Sequence, residues 1–531
     1  MLSEPPLTEK TKPQHNSWPP NVPKHIDYPN TPLQGLLEAS AQREKAKAAL
    51  ILGEQEIAYS DLDMQSNRFA NALIKMGVGK GERVALYLPN VPQFFIAYFG
   101  ILKAGAVVTA ISPLYREREV EYQLRDSGAQ VTVTLDTLYP VIANVREKTQ
   151  QKNVIILKLG GDVFADFMED ASEQKPHVQV NSGDLAALQY TGGTTGTAKG
   201  AMLTHRNLVS NALAFAAMIR GTARDIFLTA LPLFHIYGMT TSMTVPIGLG
   251  GTMVLMPKFE PAKACQLIQS LKVSVFCGVP TMYQYLLANP DLAKYDLTSI
   301  RVCISGASSL PPQVQKRFME VTGGILAEGY GLTEASPVTH CSPVDKALLR
   351  VGSIGLPLPD TEARIVDLET GTEALGVGET GELAVKGPQV MLGYWQKPEE
   401  TAMVLRGGWL LTGDIARMDG DGYFYVVDRK KDLIKHKGWS IYPRELEDIL
   451  YEHPAVKLCA VVGKTAGLGD EVPKAYVVLK DGMEASAEGL MEFVNAKVAS
   501  YKAILEVEFR RELPISSAGK VLRRQLKQQD I

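Results

Sequence analysis

Apolar segments typical of buried strands alternate with helical patterns along much of this chain. Leu62, Phe69 and Leu73 recur at helical spacing after one such segment, and Ser60, three residues before Asp63, is expected to cap that helix. This alternation predicts α/β layers with largely parallel sheets. The predicted strands include residues 48–52, 57–59, 83–88, 106–111, 131–135, 154–157, 252–256, 273–277 and 301–305.

The length and a change of character near residue 429 predict two domains. A chain of 531 residues exceeds what one compact core usually holds. A strand at 423–427 is followed by Arg429-Lys430-Lys431-Asp432, which is too charged to stay buried. We therefore expect a large N-terminal domain of layered α/β sheets, residues 1–428, and a small α+β domain, residues 429–531. The small domain's predicted helices are 443–450 and 487–498, and its predicted strands are 455–462, 474–479 and 505–509.

Charge, cysteines and hydropathy exclude several classes of protein. A net charge of −3 argues against a nucleic-acid-binding protein. Five scattered cysteines without a C-x-x-C pair indicate free thiols in the cytoplasm, and neither disulfides nor a zinc site. Residues 226–257 carry no Asp, Glu, Lys or Arg, but prolines and glycines interrupt them. We predict strand–loop–helix–strand there, hence no transmembrane segment and at most peripheral membrane contact. No signal peptide or peroxisomal address is recognised.

A Gly/Thr-rich segment at residues 190–200 separates two predicted strands, 185–190 and 200–203. Its sequence is Tyr-Thr-Gly-Gly-Thr-Thr-Gly-Thr-Ala-Lys-Gly. The glycines let backbone N–H groups turn towards an anion, and the threonine hydroxyls and Lys199 add donors, which suits a polyphosphate. It differs from the NTPase P-loop because Ala198 precedes the lysine and a strand follows it. A solvent loop is the alternative that this segment alone leaves open.

This loop resembles the phosphate-binding signature of the adenylate-forming superfamily. That family contains acyl-CoA synthetases, peptide-synthetase adenylation domains and firefly-type luciferases, and its further motifs follow here in order, at 329–334, 408–414, 428–432 and 517–520. The resemblance covers nearly the whole chain beyond its first 25 or so residues. Residues 100–106, 112–116 and 122–129 look like bacterial fatty-acyl-CoA synthetases. The resemblance implies an active site in the cleft between a large domain and a small mobile one.

The resemblance implies an ATP site. Lys199 and its loop would hold the β- and γ-phosphates, and Tyr330 would lie against the adenine. Asp414 would accept hydrogen bonds from both ribose hydroxyls, and Arg429 would reach ribose or phosphate oxygens. The predicted ATP- or AMP-binding residues are Thr191, Gly192, Gly193, Thr194, Thr195, Gly196, Thr197, Lys199, Gly306, Ala307, Ser308, Glu328, Gly329, Tyr330, Gly331, Leu332, Thr333, Asp414, Val426, Arg429 and Lys520.

Magnesium is expected with ATP. Glu334 is the best candidate for the ion, with Thr194 as a second ligand, because Mg²⁺ needs hard oxygen ligands. The resemblance assigns catalytic roles to Lys520, Glu334, Thr191 and His235. Lys520 would stabilise the charge that develops on the α-phosphate and the carboxylate. The alternatives are an exposed loop carboxylate for Glu334 and a basic-tail lysine for Lys520.

A second group of residues is implied for coenzyme A. Lys431 matches the position about which the small domain of the family rotates after adenylation. Lys435, Lys437, Gly438 and Trp439 lie on the loop that this rotation would deliver. The glycine would let the pantetheine arm pass close to the backbone, and the cations could meet the CoA phosphates. A solvated basic loop is the alternative.

The acyl pocket is expected to be apolar. His235 occupies the place of the aromatic or histidine gate in acyl-CoA synthetases, and no acid between residues 226 and 257 could pair with an amino group. An amino-acid substrate is therefore disfavoured, and small or apolar walls suit an aliphatic tail. The predicted acyl-pocket residues are His235, Tyr237, Gly238, Met239, Val279, Gly306, Gly331 and Val338.

Together these features indicate an AMP-forming fatty-acid–CoA ligase of medium or long chain preference. Its substrates would be ATP, a carboxylic acid and CoA. The nearest alternatives are an aryl-CoA ligase of the coumarate or benzoate type and an acyl-AMP ligase serving a carrier protein. A luciferase-like oxygenase is not excluded by motif. A non-catalytic fatty-acid- or nucleotide-binding protein is the alternative from another class. The oligomeric state stays open, a homodimer being one candidate.

Overall fold

The structure is a computed structural model that describes residues 17–158, 165–191, 198–436, 439–466, 470–515 and 521–528. The largest sheet among these residues has nine strands. Its six central strands are parallel, and antiparallel strands close both edges. In spatial order the strands are Leu356–Pro357, Val338–Cys341, Ile325–Gly331, Val302–Ser305, Val275–Gly278, Ile226–Thr229, Thr252–Leu255, Ala48–Leu52 and Gln55–Ala58.

A six-stranded sheet carries the Gly/Thr-rich segment at its edge. Five of its strands are parallel, and the last one pairs antiparallel with Leu185–Tyr190. The segment therefore connects two paired strands, as predicted. In spatial order the strands are Asn153–Leu157, Val131–Leu135, Arg83–Tyr87, Val107–Ala110, Leu185–Tyr190 and Gly200–Thr204.

A five-stranded antiparallel sheet follows, and the prediction of largely parallel sheets does not hold there. Its strands are two to ten residues long and mix apolar with charged side chains, a pattern that gives only a weak strand signal. The order is Glu362–Val366, Thr380–Lys386, Trp409–Met418 and Leu405–Arg406, with Phe424–Arg429 also pairing with Trp409–Met418.

Helices cover the sheets of the large part. Pro92–Lys103 is almost wholly buried and packs on Tyr59–Lys75, where a Cβ at Gly100 would come within 2.6 Å of the Phe69 ring. The other helices there are Gln34–Arg43, Glu117–Ser127, Tyr139–Val145, Ala165–Met168, His205–Met218, Ile236–Met239, Val245–Leu249, Pro261–Leu271, Pro280–Leu287, Pro312–Thr322 and Pro398–Val404, with 3₁₀ turns Leu292–Lys294 and Thr333–Ala335 and a π-helical turn Thr240–Thr244.

A smaller α+β unit with its own buried cluster follows the hinge segment. Ile434, Ile441, Leu446 and Leu450 belong to this cluster, which is separate from the cores of the large part. The unit confirms the predicted architecture of a large and a small domain. Its strands are Ile434–His436, Trp439–Ile441, Val456–Thr465, Glu471–Leu479 and Glu506–Phe509, its helices are Pro443–Tyr451, Ala487–Asn495 and Arg523–Gln528, and a 3₁₀ turn covers Ser500–Lys502.

The prediction that Ser60 caps the helix that carries Leu62, Phe69 and Leu73 is wrong. The helix begins at Tyr59, and Ala58, at its N-cap, provides no side-chain cap. The N–H groups of Tyr59 and Ser60 instead donate to the carbonyls of Lys47 and Lys45, so the first turn is satisfied by neighbouring backbone.

The apolar stretch at residues 226–257 forms two strands with short helical turns between them, as predicted. In the part of the chain that the structure describes, no helix has the length and apolarity to cross a membrane. All five cysteines are described, and they are buried and free, as expected from their spacing.

Candidate functional site

The Gly/Thr-rich loop leaves and re-enters the edge of the six-stranded sheet. The Thr191 N–H donates to the Lys199 carbonyl at 2.9 Å, and the Lys199 N–H lies 3.4 Å from the Thr191 hydroxyl oxygen. These bonds close the base of the loop. The predicted phosphate-binding residues Gly192, Gly193, Thr194, Thr195, Gly196 and Thr197 lie outside the described residues.

A polar cluster anchors the base of this loop. The Tyr190 hydroxyl donates to Asp126 Oδ2 at 2.6 Å, and Lys397 Nζ lies 3.4 Å from Asp126 Oδ1. The Tyr122 hydroxyl donates to the carbonyl of Ala198 at 2.6 Å. Both ends of the loop are thereby fixed by side chains of the helix Glu117–Ser127, which overlaps the segment 122–129 that resembles bacterial fatty-acyl-CoA synthetases.

Tyr330 and Arg429, both predicted for the ATP site, contact the third predicted residue, Asp414. The Tyr330 hydroxyl donates to Asp414 Oδ2 at 2.5 Å, and Arg429 Nε lies 3.3 Å from Asp414 Oδ1. Burial raises the pKa of Tyr330 well above its usual value, and the Asp414 carboxylate raises it further. Asp414 thus has two partners, Tyr330 and Arg429, and it is only 8% exposed. Its predicted contact with ribose stays a prediction.

Aromatic rings support Tyr330 from behind. His340, on the neighbouring strand, lies edge-on to Tyr330 with ring centroids 5.9 Å apart, and Phe424 packs on His340 at 4.7 Å. Burial lowers the pKa of His340 to about 3, so this ring is neutral. The Tyr330 ring is therefore held by packing on one side and by Asp414 at its hydroxyl.

Glu334 lies on the 3₁₀ turn Thr333–Ala335. Its Oε1 accepts a hydrogen bond from the Tyr394 hydroxyl at 2.6 Å, and its backbone carbonyl accepts one from the N–H of Met391 at 2.8 Å. The ring of Tyr394 also lies below Lys199, whose Nζ is 4.9 Å from the ring centroid. Tyr394 therefore touches two predicted ATP residues, and the sequence analysis missed it.

The chemistry of Glu334 fits Mg²⁺. A carboxylate oxygen is a hard ligand, and Mg²⁺ usually combines one or two carboxylates with substrate phosphates rather than an all-protein cage. Among the described residues, no group of three His, Cys, Asp or Glu side chains could hold a metal. The second predicted ligand, Thr194, belongs to the part of the loop that the structure does not describe.

The remaining predicted ATP residues lie on strands or on the turns that follow them. Gly306, Ala307 and Ser308 follow Val302–Ser305, and Ala307 has a left-handed φ of 70°. Val426 is partly buried, and its carbonyl accepts a bond from Arg444. The strand Ile325–Gly331 and the turn after it carry Glu328, Gly329, Gly331, Leu332 and Thr333.

Glu328 is a buried carboxyl beside this turn. It is 5% exposed, and burial raises its pKa to about 7. Its Oε2 lies 3.4 Å from the N–H of Leu310. An ATP contact by Glu328 stays a prediction.

The segment 231–235, which leads to His235, is held by two buried amide side chains. Asn90 donates to the Leu231 carbonyl at 2.8 Å and accepts from the Leu233 N–H at 2.9 Å. Gln189 donates to the carbonyl of Phe234 at 2.7 Å. Asn90 and Gln189 belong to the six-stranded sheet region, so this sheet positions a loop of the nine-stranded one.

The His235 ring is fixed by its own helix. Its Nδ1 accepts from the N–H of Tyr237 at 3.2 Å, which leaves the proton of a neutral ring on Nε2. Gly238 follows where the chain turns closely, because a Cβ there would lie 2.4 Å from the carbonyl oxygen of Pro232. Met239 is fully buried.

Tyr237, Val279 and Val338, which are predicted for the acyl pocket, belong to one buried hydrophobic cluster. The Tyr237 hydroxyl donates to the Ile304 carbonyl at 2.9 Å, and the ring lies over Gly306, where a Cβ would approach within 2.9 Å.

Val338 is pinned by Asn211 of the helix His205–Met218. The Asn211 amide donates to the Val338 carbonyl at 2.6 Å and accepts from the Val338 N–H at 3.1 Å. Gly331 faces Val338 in the strand register and has no room for a side chain, since a Cβ would lie 2.1 Å from the Pro337 oxygen.

The predicted hinge residue Lys431 is exposed and lies beside a cluster of buried and partly buried charges. Desolvation and the neighbouring Arg429 lower the pKa of Lys431 to about 8. Arg523 forms ion pairs with Glu447 at 2.5 Å and Asp432 at 3.1 Å, and it lies 3.7 Å from Asp428. The last described helix of the chain is thus joined to both sides of Lys431.

Two of the predicted CoA residues, Lys435 and Trp439, lie on paired strands of the small unit. Lys435 Nζ donates to the Ser440 hydroxyl at 2.7 Å, and Trp439, 58% exposed, stacks on Tyr501 with ring centroids 4.9 Å apart. The Trp439 ring therefore presents an aromatic face to solvent. Lys437 and Gly438, predicted for CoA, and Lys520, predicted for catalysis, lie outside the described residues.

Motif comparison missed Tyr394, Asn90, Gln189 and Asn211. One signal was present for Asn90, a polar residue just after the buried strand Arg83–Tyr87, because ligands gather at the carboxyl ends of parallel strands. Gln189 is similarly a polar residue within a buried strand. Tyr394 and Asn211 carried no local signal.

Known proteins are similar to this chain over most of its length. The family model described as "AMP-binding enzyme" matches residues 37–395, and that of the "AMP-binding enzyme C-terminal domain" matches residues 445–520. A long-chain-fatty-acid–CoA ligase of Bacillus subtilis (strain 168) is 41% identical, covering 98% of this chain and 99% of that protein. 4-Coumarate–CoA ligase 3 of Oryza sativa subsp. japonica is 35% identical, covering 91% of this chain and 89% of that protein.

A solved structure agrees in fold. ATP-bound MatB from Rhodopseudomonas palustris matches with a TM-score of 0.88 and 31% identity over 94% of this chain and 99% of that one. The family that the motifs indicated is confirmed: this chain belongs to the AMP-binding, adenylate-forming enzymes.

Proposed function

We propose that the protein is an AMP-forming fatty-acid–CoA ligase. The observation that carries the proposal is the meeting of two unlike surfaces at the end of strand Ile325–Gly331. Tyr330 faces Asp414 and Arg429 on the nucleotide side, while Gly331 pairs with Val338 in the apolar wall. We call these surfaces the nucleotide side (Lys199, Tyr330, Glu334, Tyr394, Asp414 and Arg429) and the acyl wall (residues 231–235 with Tyr237, Val279 and Val338).

The first half-reaction joins the acid to AMP. A carboxylate oxygen attacks the α-phosphorus of ATP, the bond to the bridging oxygen of the β-phosphate breaks, and pyrophosphate leaves in line. Catalysis of such a step is mainly positioning and neutralisation of charge. Lys199 would hold the β- and γ-phosphates, and Lys520 would stabilise the charge near the α-phosphorus. Glu334, with Thr194, would hold a Mg²⁺ ion, which when bound neutralises phosphate charge.

The second half-reaction transfers the acyl group. The CoA sulfur attacks the acyl carbon of the mixed anhydride, its proton is lost, and AMP leaves. The large domain, residues 1–428, and the small one, residues 429–531, would rotate about Lys431 between the two steps. The stacked rings of Trp439 and Tyr501 offer an exposed face for CoA, with Lys435 on the strand that pairs with that of Trp439 and Lys437 and Gly438 next to it in sequence.

A fatty tail suits the acyl wall. Tyr237, Val279 and Val338 contribute apolar surface, and the hydrogen bonds that hold this wall come from neutral side chains. Burial of an aliphatic tail stabilises the complex by roughly 0.8 kcal/mol per methylene. The name of the 41% identical Bacillus relative supports the same substrate class.

An aryl-CoA ligase is the second candidate, because the rice relative at 35% identity is named for coumarate. Location and assembly also belong to the proposal. The buried, unpaired cysteines suit a reducing cytoplasm. We propose peripheral membrane contact at most and a homodimer as the assembly to test by light scattering.

AMP release from ATP tests the function. We would measure it with acetate through palmitate and with benzoate and coumarate, each with and without CoA. CoA-dependent turnover that peaks at one aliphatic length is expected. A preference for aryl acids would support the second candidate, whereas acyl-AMP that accumulates without thioester would indicate a carrier-protein acceptor and contradict the CoA ligase.

A further inference from the structure

Tyr394 contacts two oppositely charged side chains of the nucleotide side. Its hydroxyl donates to Glu334 Oε1 at 2.6 Å, and its ring lies 4.9 Å from Lys199 Nζ. Tyr394 itself is 7% exposed. Glu334 is 60 residues away in sequence, and none of the recognised motifs includes Tyr394.

The backbone around Tyr394 is fixed on both sides. The N–H groups of Leu392 and Trp395 donate to the carbonyls of Met202 and Gly200, at 3.0 and 2.8 Å, which tie this segment to the strand that ends the phosphate loop. The Tyr394 N–H donates to the Thr401 hydroxyl at 2.9 Å. The ring therefore has a defined position between the loop and the turn of Glu334.

Gly393 makes this position attainable. Its φ is +147°, and a Cβ there would lie 2.6 Å from Cγ2 of Thr401. Only glycine adopts this conformation readily and leaves room for Thr401. The turn that delivers the Tyr394 ring thus depends on residue 393 having no side chain.

A phenol can bind both partners without cancelling either charge. Its hydroxyl occupies one oxygen of the Glu334 carboxylate and leaves the other for a cation. Its ring face attracts the Lys199 ammonium through the quadrupole, so the full positive charge stays available to a phosphate. The hydroxyl is the donor in its bond to Glu334, because an ionised carboxylate can only accept.

We propose that Tyr394 is a positioning residue that holds the Glu334 carboxylate and the Lys199 ammonium at a fixed separation. The carboxylate is thereby placed for the magnesium ion, and the ammonium is placed for the terminal phosphates of ATP. This inference rests on the proposed function, in which these two side chains bind Mg²⁺ and phosphate. The residue acts through its neighbours and takes no part in bond making.

Two substitutions separate the two contacts. Tyr394→Phe keeps the ring below Lys199 and removes the hydroxyl, whereas Tyr394→Leu removes both. Tyr425→Phe is the matched control, because its hydroxyl donates to Asp419 Oδ2 at 3.0 Å, a similar bond made outside the nucleotide side. Melting temperatures of the full-length variants establish that each is folded.

The readout is the dissociation constant of the non-hydrolysable analogue α,β-methylene-ATP, measured calorimetrically with and without Mg²⁺. In Tyr394→Phe, the gain in affinity due to Mg²⁺ should fall about tenfold, while binding without Mg²⁺ is unchanged. In Tyr394→Leu, binding without Mg²⁺ should also weaken, by about threefold. Tyr425→Phe should match the wild type.

A double-mutant cycle with Glu334→Gln completes the test. If the hydroxyl acts through Glu334, adding Tyr394→Phe to Glu334→Gln should change the Mg²⁺ effect no further. An unchanged Mg²⁺ effect in Tyr394→Phe would overturn the proposal, and so would an equal loss with and without the metal. If the wild-type protein releases AMP with none of the acids tested, the proposed function itself would be refuted.

Discussion

The nucleotide side and the acyl wall are held by different kinds of contact. On the nucleotide side, phenols and charged groups bond to one another, as in Tyr330–Asp414–Arg429 and Tyr394–Glu334. In the acyl wall, neutral amides bond to backbone, as Asn90 does to residues 231 and 233 and Asn211 does to Val338.

The difference is the one expected from the proposed ligands. A polyphosphate is bound by charged groups, whereas a charge buried beside an apolar tail without a partner costs several kcal/mol. Amides fix backbone without that penalty. Substitutions on the two sides should therefore give different kinetic patterns.

Lys520→Ala should have the largest effect and act on the nucleotide side alone. Loss of a cation that stabilises developing charge is expected to slow adenylation about 100- to 1,000-fold. Conversion of preformed acyl-AMP and CoA to thioester should remain largely intact. Single-turnover assays of each half-reaction would measure this, with the exposed Arg524→Ala as control. Equal loss in both half-reactions would refute this division of labour.

Asp414→Asn should reduce kcat/KM for ATP about 100-fold. The change weakens the bonds to Tyr330 and Arg429 and removes the carboxylate expected to hold ribose, and a hydrogen bond to a charged group contributes about 1.5–3 kcal/mol. ATP–pyrophosphate exchange is the measurement. Asp419→Asn, which alters a Tyr–Asp pair on a surface turn, is the control and should retain activity. A reduced affinity for the acid alone would contradict the assignment.

Glu328→Gln tests a buried carboxyl on the strand Ile325–Gly331, which also carries Tyr330. Folding raises its pKa to about 7 through burial, so the unfolded chain ionises first as pH rises. The contribution of Glu328 to the stability of the wild type is therefore most favourable below the unfolded pKa, and it falls by up to about 3 kcal/mol as pH rises to about 7.

The glutamine variant should escape this loss. Its melting temperature relative to wild type should increase between pH 5 and pH 8, measured by thermal unfolding. Glu320→Gln, at an exposed position, should show no such trend. A difference between Glu328→Gln and wild type that does not change with pH would disprove the shift.

Asn211→Ala should give the smallest effect and change the acyl wall only. It leaves the N–H and C=O of Val338 without their partner, which costs about 2 kcal/mol of stability. We expect KM for the fatty acid to rise several-fold while KM for ATP is unchanged.

Asn207→Ala is the matched control for that variant. Asn207 lies one turn earlier on the same helix and donates to the carbonyls of Pro388 and Val390. It should cost similar stability without altering the acyl preference. Identical kinetics for the two variants would show that Asn211 acts only on stability.

The sequence predicted the parts of the fold that repeat a strong local pattern. Strands such as Val131–Leu135 and Leu185–Tyr190 occur where expected, because short uncharged segments rich in apolar and β-branched residues are typical of strands buried in a sheet. The five-stranded antiparallel sheet escaped prediction, since strands such as Glu362–Val366 mix charged and apolar side chains. The helix start at Tyr59 was missed because its first N–H groups are bonded to the backbone carbonyls of Lys45 and Lys47, which no side-chain pattern indicates.

The residues of the candidate site likewise fall into those that a sequence motif indicated and those that only the structure revealed. Tyr330, Glu334 and Asp414 were found through motifs, each with a side chain suited to its expected role. Tyr394 and Asn211 were not found, because what identifies them is a contact with a residue 60 or 127 positions away. No local pattern encodes such a contact, so only the fold reveals it.

The stacking of Trp439 on Tyr501 gives the protein an internal optical probe. The chain has four tryptophans, and this one is 58% exposed on the small unit. Trp395, beside the phosphate loop, is instead partly buried and donates its indole N–H to the Asp126 carbonyl. Emission from Trp439 should therefore report what approaches this part of the small unit, and emission from Trp395 what enters the loop. With Trp18 and Trp409 replaced by phenylalanine, fluorescence could follow the two binding events separately without any attached label.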